Sequence, residues 1–85
     1  MTRARVIQKD AARFGTMINR MRWERRWTLR DLAERTGMNP TYLGILENGH
    51  NMPTLATILK LAEVFGVEAS SLVREVEEQR RAKPQ

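Results

Sequence analysis

Apolar residues recur at helical spacing along most of the chain, and no segment shows the two-residue alternation of a half-buried strand. A first helix is predicted over about residues 10–26. Its apolar face consists of Phe14, Ile18 and Met21, extended by Trp23 and Trp27, for which packing in the core or an interface is the favoured role.

Two further helical patterns lie in the segment TLRDLAERTGMNPTYLGILENG, separated by a short break. Thr28 and Asp31 have the spacing of a capping box, which begins a second helix. Gly37 stands where that helix must stop, because glycine readily takes the left-handed conformation. Asn39 is the expected N-cap of a third helix and Pro40 its first residue. Two short helices joined by a tight turn predict a helix-turn-helix.

The remaining chain predicts a fourth and a fifth helix. Thr54 is the expected N-cap of the fourth helix and Gly66 its stop. The fifth helix is expected to begin near Ala69 or Ser70. The predicted buried face of the fourth helix consists of Leu55, Ile58, Leu59, Ala62 and Phe65. The fifth helix carries the apolar residues Leu72, Val73 and Val76.

Length and composition are those of one small all-α domain. The 85 residues allow a single modest core, with an arm at 1–9, a domain at 10–77 and a charged tail at 78–85. The arm is basic and without periodicity, so both disorder and a role in binding remain open. The chain has no cysteine, no signal-like apolar stretch and no run approaching the ~20 apolar residues of a membrane span. A cytoplasmic location, without membrane contact, is therefore predicted.

Basic charge is concentrated in the first third of the chain. Residues 1–35 hold ten Arg and Lys against four Asp and Glu, within a net charge of +5 for the whole chain. Twelve of the fifteen basic residues are arginines, whose forked guanidinium groups pair well with phosphate. The alternative is a basic surface that is merely solvated. Charge alone does not decide between the two.

The three stretches FGTMINRMR, TLRDLAERTGMNPTYLGILENG and MPTLATILKLAEVFGV together resemble phage repressors and Cro proteins, the XRE-type helix-turn-helix family. The resemblance implies a five-helix, lambda-repressor-like fold with its helix-turn-helix at helices 2 and 3. It also implies an ion pair between Arg22 of the first helix and Glu47 at the end of the third. The family binds double-stranded DNA with the third helix in the major groove.

Carried onto this sequence, the resemblance gives a set of DNA-binding residues. Base-edge contacts are expected from the third helix and backbone contacts from the start of the second helix and the loop after the third. The set is Thr28, Arg30, Asn39, Pro40, Thr41, Tyr42, Gly44, Ile45, Asn48, His50 and Asn51, with Arg3, Arg5 and Lys9 of the arm as further candidates. Tyr42 has an alternative reading as a half-buried packing residue.

Two departures from the family make the expected readout unusual. Leu29 stands where many members have a glutamine that touches phosphate. The third helix also contains no Arg, Lys or Gln, so it cannot make the bidentate base pairings that such residues provide. Specificity is therefore expected to depend on loop residues, on apolar contacts to thymine methyl groups and on DNA shape.

The sequence thus predicts a transcriptional regulator that binds a near-palindromic operator as a homodimer, such as a phage-type repressor, a restriction-modification controller or an antitoxin. The dimer interface is expected at Leu72, Val73 and Val76, with apolar residues from the end of the fourth helix. An activator would also contact RNA polymerase. The alternative is a protein-interaction module that keeps the fold and binds DNA only weakly. No enzymatic, cofactor or metal site is predicted, since one histidine without cysteine makes a poor ligand set.

Overall fold

A computed structural model describes the backbone of residues 3–82 and the side chains of residue 5 and residues 7–82. All regular structure in that part of the chain is helical, which confirms the predicted five-helix, all-α fold. None of these helices is long and apolar enough to cross a membrane. The helices are α1 (Arg3–Glu24), α2 (Leu29–Thr36), α3 (Pro40–Glu47), α4 (Leu55–Phe65) and α5 (Ala69–Ala82).

The first helix is longer at its start than the sequence predicted. It begins at Arg3 rather than near Asp10, so the segment expected to be an arm is helical from its third residue onward. Asp10, where the helix was predicted to begin, lies inside α1, and its carboxylate accepts hydrogen bonds from Arg13 on α1 and from Arg80 on α5. Arg5 and Lys9 are exposed on the extension. Residues 1 and 2 of the predicted arm, and the side chain of Arg3, lie outside the described residues.

The predicted caps are present at both short helices. The Thr28 side chain accepts a hydrogen bond from the Asp31 backbone N–H at 3.0 Å, and the Thr28 backbone N–H donates to the Asp31 carboxylate at 2.8 Å. Gly37 ends α2 at φ 74°, and Asn39 caps α3 by accepting from the Thr41 N–H at 2.7 Å. These local contacts fix where each helix of the predicted helix-turn-helix begins and ends.

The core is formed by one face of each helix. Its residues include Phe14, Met17, Ile18 and Met21 of α1, Leu32 and Ala33 of α2, Leu43 and Leu46 of α3, Leu61, Ala62 and Phe65 of α4, and Leu72 of α5. Six of the larger side chains, including Leu43 and Leu46, are fully buried. The core therefore holds α3 by its inward leucines and leaves the opposite face of that helix outside.

The predicted buried face of α4 is partly wrong. Leu55 and Leu59 are 69% and 52% exposed, whereas Thr57 and Leu61 are buried. The helix carries apolar residues on two adjacent stripes, and periodicity alone could not tell which stripe faces the core. The Thr57 hydroxyl lies 3.2 Å from the Tyr42 hydroxyl of α3, a contact that helps to set the rotation of α4.

The fifth helix continues beyond the predicted domain boundary. It is helical to Ala82, so most of the segment expected to be a tail is part of α5; residues 83–85 lie outside the described residues. Two ion pairs join α5 to α1: Arg20 donates to both carboxylate oxygens of Glu75, at 2.7 and 3.0 Å, and Arg80 pairs with Asp10. These contacts connect the charged end of the chain to the extended first helix.

Candidate nucleic-acid interface

Helices α2 and α3 form a helix-turn-helix around Gly37. The Gly37 N–H donates to the Ala33 carbonyl at 2.8 Å, which closes α2, and Asn39 begins α3 two residues later. Ala33 of α2 is buried in the core, and its small side chain suits the close packing of α2 and α3. Because the turn is only three residues long, from Gly37 to Asn39, it restricts the orientation of α3 relative to α2.

The outward face of α3 consists mainly of small and uncharged side chains. Pro40, Thr41 and Ile45 are exposed and Gly44 is partly so, whereas Leu43 and Leu46 are buried. Ile45 is 40% exposed. The predicted base-reading residues are thus brought together on one surface, with the exception of Tyr42.

Tyr42 fits the packing alternative better than a role in base contact. Its side chain is half-buried against the core, and its hydroxyl shares a hydrogen bond with Thr57 of α4. Thr57 is in turn bonded to the Thr54 hydroxyl at 3.2 Å. Tyr42 therefore connects α3 to the start of α4.

The predicted ion pair between Arg22 and Glu47 is present. Arg22 Nε donates to Glu47 Oε2 at 2.7 Å and Arg22 Nη2 to Oε1 at 3.1 Å. Asn19 Nδ2 donates to the same Oε1 at 2.8 Å, and Arg22 Nη1 donates to the Trp27 carbonyl at 2.8 Å. The carboxylate at the end of α3 is thus fully used within the protein, which fixes that end of the helix to α1.

Two glycines bring α1 close to the end of α3. A Cβ atom on Gly15 would lie 2.2 Å from the Leu46 carbonyl oxygen, and one on Gly49 would lie 2.8 Å from the Ala12 Cα. Gly49 also has φ 76°, a conformation that glycine adopts without strain. The sequence prediction overlooked Gly15, although an isolated glycine within a helical pattern is a signal of close backbone approach.

The start of α2 is less open to an anion than the sequence suggested. The Asp31 carboxylate accepts the Thr28 N–H, and this hydrogen bond holds the pKa of the Asp31 carboxyl below its ordinary value. The charge at this helix end is therefore already partly neutralised by the protein. Arg30 is exposed beside it, and Leu29 packs against the core.

The loop that follows α3 presents polar side chains to solvent. Asn48, His50 and Asn51 are exposed, and the His50 N–H donates to the Ile45 carbonyl at 3.1 Å. Among the described residues, no group of three His, Cys, Asp or Glu side chains is placed to hold a metal ion. This loop thus follows α3 with exposed hydrogen-bonding side chains.

The two tryptophans have different environments. Trp27 stacks on Phe65 with ring centroids 5.8 Å apart, and the Arg35 guanidinium lies 4.3 Å from the Trp27 ring. Trp27 therefore packs on the core as predicted. Trp23 is 64% exposed and lies next to Arg22, so it does not extend the buried face of α1.

This fold and its exposed third helix define a class of protein. The sequence profile of the helix-turn-helix family matches residues 18–72, and the chain belongs to that family in its XRE, repressor-like form. The family is one of transcriptional regulators and not of enzymes.

Individual relatives are similar over most of this chain. The HTH-type transcriptional regulator SutR of Escherichia coli is 36% identical over 66 residues, which cover 76% of this chain but only 37% of SutR. The HTH-type transcriptional regulator y4dJ of Sinorhizobium fredii is 34% identical over 64 residues, covering 75% of this chain and 83% of y4dJ. Among solved structures, the restriction-modification controller protein C.AhdI of Aeromonas hydrophila is 30% identical with a TM-score of 0.70, over 74% of this chain and 96% of that one.

Proposed function

We propose that this protein is a sequence-specific regulator of transcription that binds double-stranded DNA with α3 in the major groove. The observation that carries the proposal is the outward face of α3. Glu47 at the end of this helix pairs with α1, and Tyr42 bonds to α4. Two leucines of the helix are buried in the core, whereas its opposite face is exposed. A rigidly held helix with one exposed face is the arrangement by which a helix-turn-helix enters the groove.

Charge supports a nucleic-acid partner. The first 35 residues carry most of the basic side chains, and Arg30 lies exposed beside the start of α2. In the major-groove arrangement this end of α2 approaches a phosphate. Because the Asp31 carboxylate places a negative charge at this helix end, the attraction for a phosphate here depends on the Arg30 guanidinium.

A homodimer on a near-palindromic operator is the second part of the proposal. Leu55 and Leu59 of α4 and Val73 of α5 are more than half exposed. Val73 also lines a groove of about 300 Å³ with Ile58 and Val76. Exposed apolar surface of this kind is typical of an interface. Leu72, which was predicted to be part of the dimer surface, is only 2% exposed and belongs to the core of its own chain.

The experiment is selection of duplexes from a random-sequence pool, followed by measurement of affinity across a salt series. A dimer that makes ~6–10 phosphate contacts loses about 10³–10⁵-fold in affinity between 50 and 200 mM salt. Arg30→Gln should weaken binding on all duplexes and reduce the salt slope by about one per half-site. Arg81→Gln is the matched control, because Arg81 is exposed on α5, a helix that packs on α1 and α4.

Sedimentation analysis tests the dimer separately. Leu59→Glu places a charge on the exposed apolar stripe of α4 and should yield monomers, with weaker operator binding. Ile7→Glu changes an isoleucine that is 44% exposed on α1 and should leave the dimer intact. Weak binding of equal strength to every duplex would refute the proposal of a sequence-specific regulator. The remaining proposal would then be a protein-interaction module, which the uncharged face of α3 favours.

A further inference from the structure

We propose that the turn between α1 and α2 makes a further contact with the DNA backbone, in which Arg26 pairs with a phosphate and Trp23 covers the sugar-phosphate chain beside it. We call these two exposed side chains the junction patch. The proposal rests on the proposed binding of double-stranded DNA and extends the contact surface from the helix-turn-helix to the end of α1. It is carried by the backbone conformation and charge of Arg26 and by the exposure of Trp23.

Arg26 has a backbone conformation that favours glycine. Its φ is 59°, and among the described residues only Arg26 and three glycines have a positive φ. A side chain in this left-handed region is strained, whereas glycine adopts the region freely. Glycine would therefore suit this position better if the shape of the turn were all that mattered. An arginine held in a strained conformation points to a role of its side chain outside the turn.

The charge of Arg26 is not balanced within the part of the chain that the structure describes. Its side chain is exposed and makes no hydrogen bond or ion pair with a described residue. The acidic residues close to it in the chain have other partners. Glu24 lies 3.6 Å from Arg20, and the Asp31 carboxylate accepts the N–H of Thr28. The Arg26 guanidinium is thus available to an anion from outside the molecule.

Trp23 adds an aromatic ring beside this charge. It is 64% exposed, and its carbonyl accepts the Arg26 N–H at 2.9 Å, so the two residues lie one turn apart at the same end of α1. The indole N–H has no hydrogen-bond partner among the described residues. A large ring that is left in water with an unused donor is suited to an interface. Together the two side chains offer a cation, an N–H donor and an apolar surface.

The junction patch lies beside the surface that the helix-turn-helix is proposed to present to DNA. Arg26 stands two residues before Thr28, the N-cap of α2. The Arg22 guanidinium lies 5.1 Å from the centre of the Trp23 ring and pairs with Glu47 at the end of α3. The patch is therefore close to both the start of α2 and the end of α3, where backbone contacts are expected. A cationic surface at this place fits a phosphate.

Arg26→Gly is the central variant, because it removes the side chain and relieves the backbone. It should leave Tm unchanged or raise it, and at the same time weaken binding to the duplex recovered by selection. Arg26→Gln removes only the charge and should reduce the salt slope by about one per half-site on every duplex. Arg81→Gln is the matched control, since it removes one exposed charge on α5, and it should keep the wild-type affinity and slope.

Neutral methylphosphonate groups identify the phosphate that Arg26 contacts. They replace the phosphates of the selected duplex one at a time. At one phosphate per half-site the replacement should weaken binding of the wild-type protein and have little effect on Arg26→Gln, because that variant has already lost the contact. At the other contacted phosphates the two proteins should lose affinity by equal factors.

Acrylamide quenching of tryptophan fluorescence tests Trp23. Binding of the selected duplex should protect part of the wild-type emission from acrylamide, because the exposed Trp23 ring becomes covered. Trp23→Phe retains Trp27, which is stacked on Phe65, and the quenching of this variant should change little on binding. Equal protection in the two proteins would remove Trp23 from the contact.

The outcomes separate the two proposals. Failure to recover any tightly bound duplex would overturn the regulator itself. Tight binding with the same affinity and salt slope in Arg26→Gln and Arg26→Gly would overturn only the junction patch. Weaker binding by Arg26→Gly that is accompanied by a lower Tm, with no phosphate at which Arg26→Gln becomes insensitive, would also overturn the patch, by assigning Arg26 a structural role.

Discussion

Removal of the Glu47 carboxylate should destabilise this protein far more than removal of an exposed acid. The Glu47 side chain is 6% exposed and that of its partner Arg22 is 9% exposed. Glu47 accepts three hydrogen bonds, two from Arg22 and one from Asn19. In Glu47→Ala the guanidinium keeps its bond to the Trp27 carbonyl but loses the charge that balances it.

The magnitude follows from the burial of the pair. Breaking a buried ion pair by removing one partner costs about 3–5 kcal/mol, because the other charge stays in the interior without compensation. The whole unfolding free energy of a small domain is about 5–15 kcal/mol. Glu47→Ala should therefore remove about a fifth or more of it and lower Tm by at least about 10 °C.

The measurement is urea unfolding followed by circular dichroism, with Glu63→Ala as the matched control. Glu63 is also a helical glutamate in an ion pair, but it lies 3.8 Å from Lys60 and is 72% exposed. Its loss should cost less than about 0.5 kcal/mol. If Glu47→Ala and Glu63→Ala were equally stable, the reasoning from burial would be refuted.

A double-mutant cycle separates the ion pair from other consequences of truncation. Arg22→Ala alone leaves the carboxylate buried with only Asn19 as a donor, and it should also be strongly destabilising. The Arg22→Ala/Glu47→Ala double variant removes both charges, so its cost should fall short of the summed single costs by about 0.5–3 kcal/mol. Strict additivity would mean that the two residues do not act as a pair.

Three further predictions concern packing and pH. Gly15→Ala should destabilise the protein by about 1–3 kcal/mol, because the new Cβ would meet the Leu46 carbonyl oxygen. Gly44→Ala should be neutral or stabilise by up to ~1 kcal/mol, because the new Cβ would meet only the flexible Leu29 side chain. Urea unfolding of both variants measures the two changes in unfolding free energy. The hydrogen bonds from Arg80 hold the pKa of the Asp10 carboxyl below its ordinary value, so their contribution to stability is complete above about pH 4 and is lost as pH falls through the lowered pKa. The stability difference between the wild-type protein and Asp10→Asn should therefore shrink on acidification, and a difference that is the same at pH 7 and pH 2.5 would contradict it.

The parts of the fold that the sequence predicted well are those fixed by local chemistry. Thr28 with Asp31, Asn39 with Pro40, and Gly37 each determine a helix end through bonds or torsions within a few residues. The same local signals placed the helix-turn-helix. The ion pair between the first and third helices followed from the family resemblance, since nothing local connects residues 25 positions apart.

The errors concern contacts between distant segments. The polar sequence before Asp10 gives no sign of a helix, and Asp10 itself is paired with Arg80, which lies 70 residues away. The buried side of α4 depends on its neighbours, and the two apolar stripes that include Leu55 and Leu61 have similar patterns in sequence. Which leucines face the core is a property of the packed helices rather than of the periodicity.

The contacts that hold α3 lie away from its outward face. Arg22, Gly15 and Thr57 hold this helix through its end, its backbone and its tyrosine, and all three lie on α1 or α4. The side chains of the outward residues Thr41 and Ile45 take no part in these three contacts, so they should contribute little to the stability of the fold. A helix held in this way can present an uncharged outward face without loss of fold, because its packing does not depend on the side chains of that face.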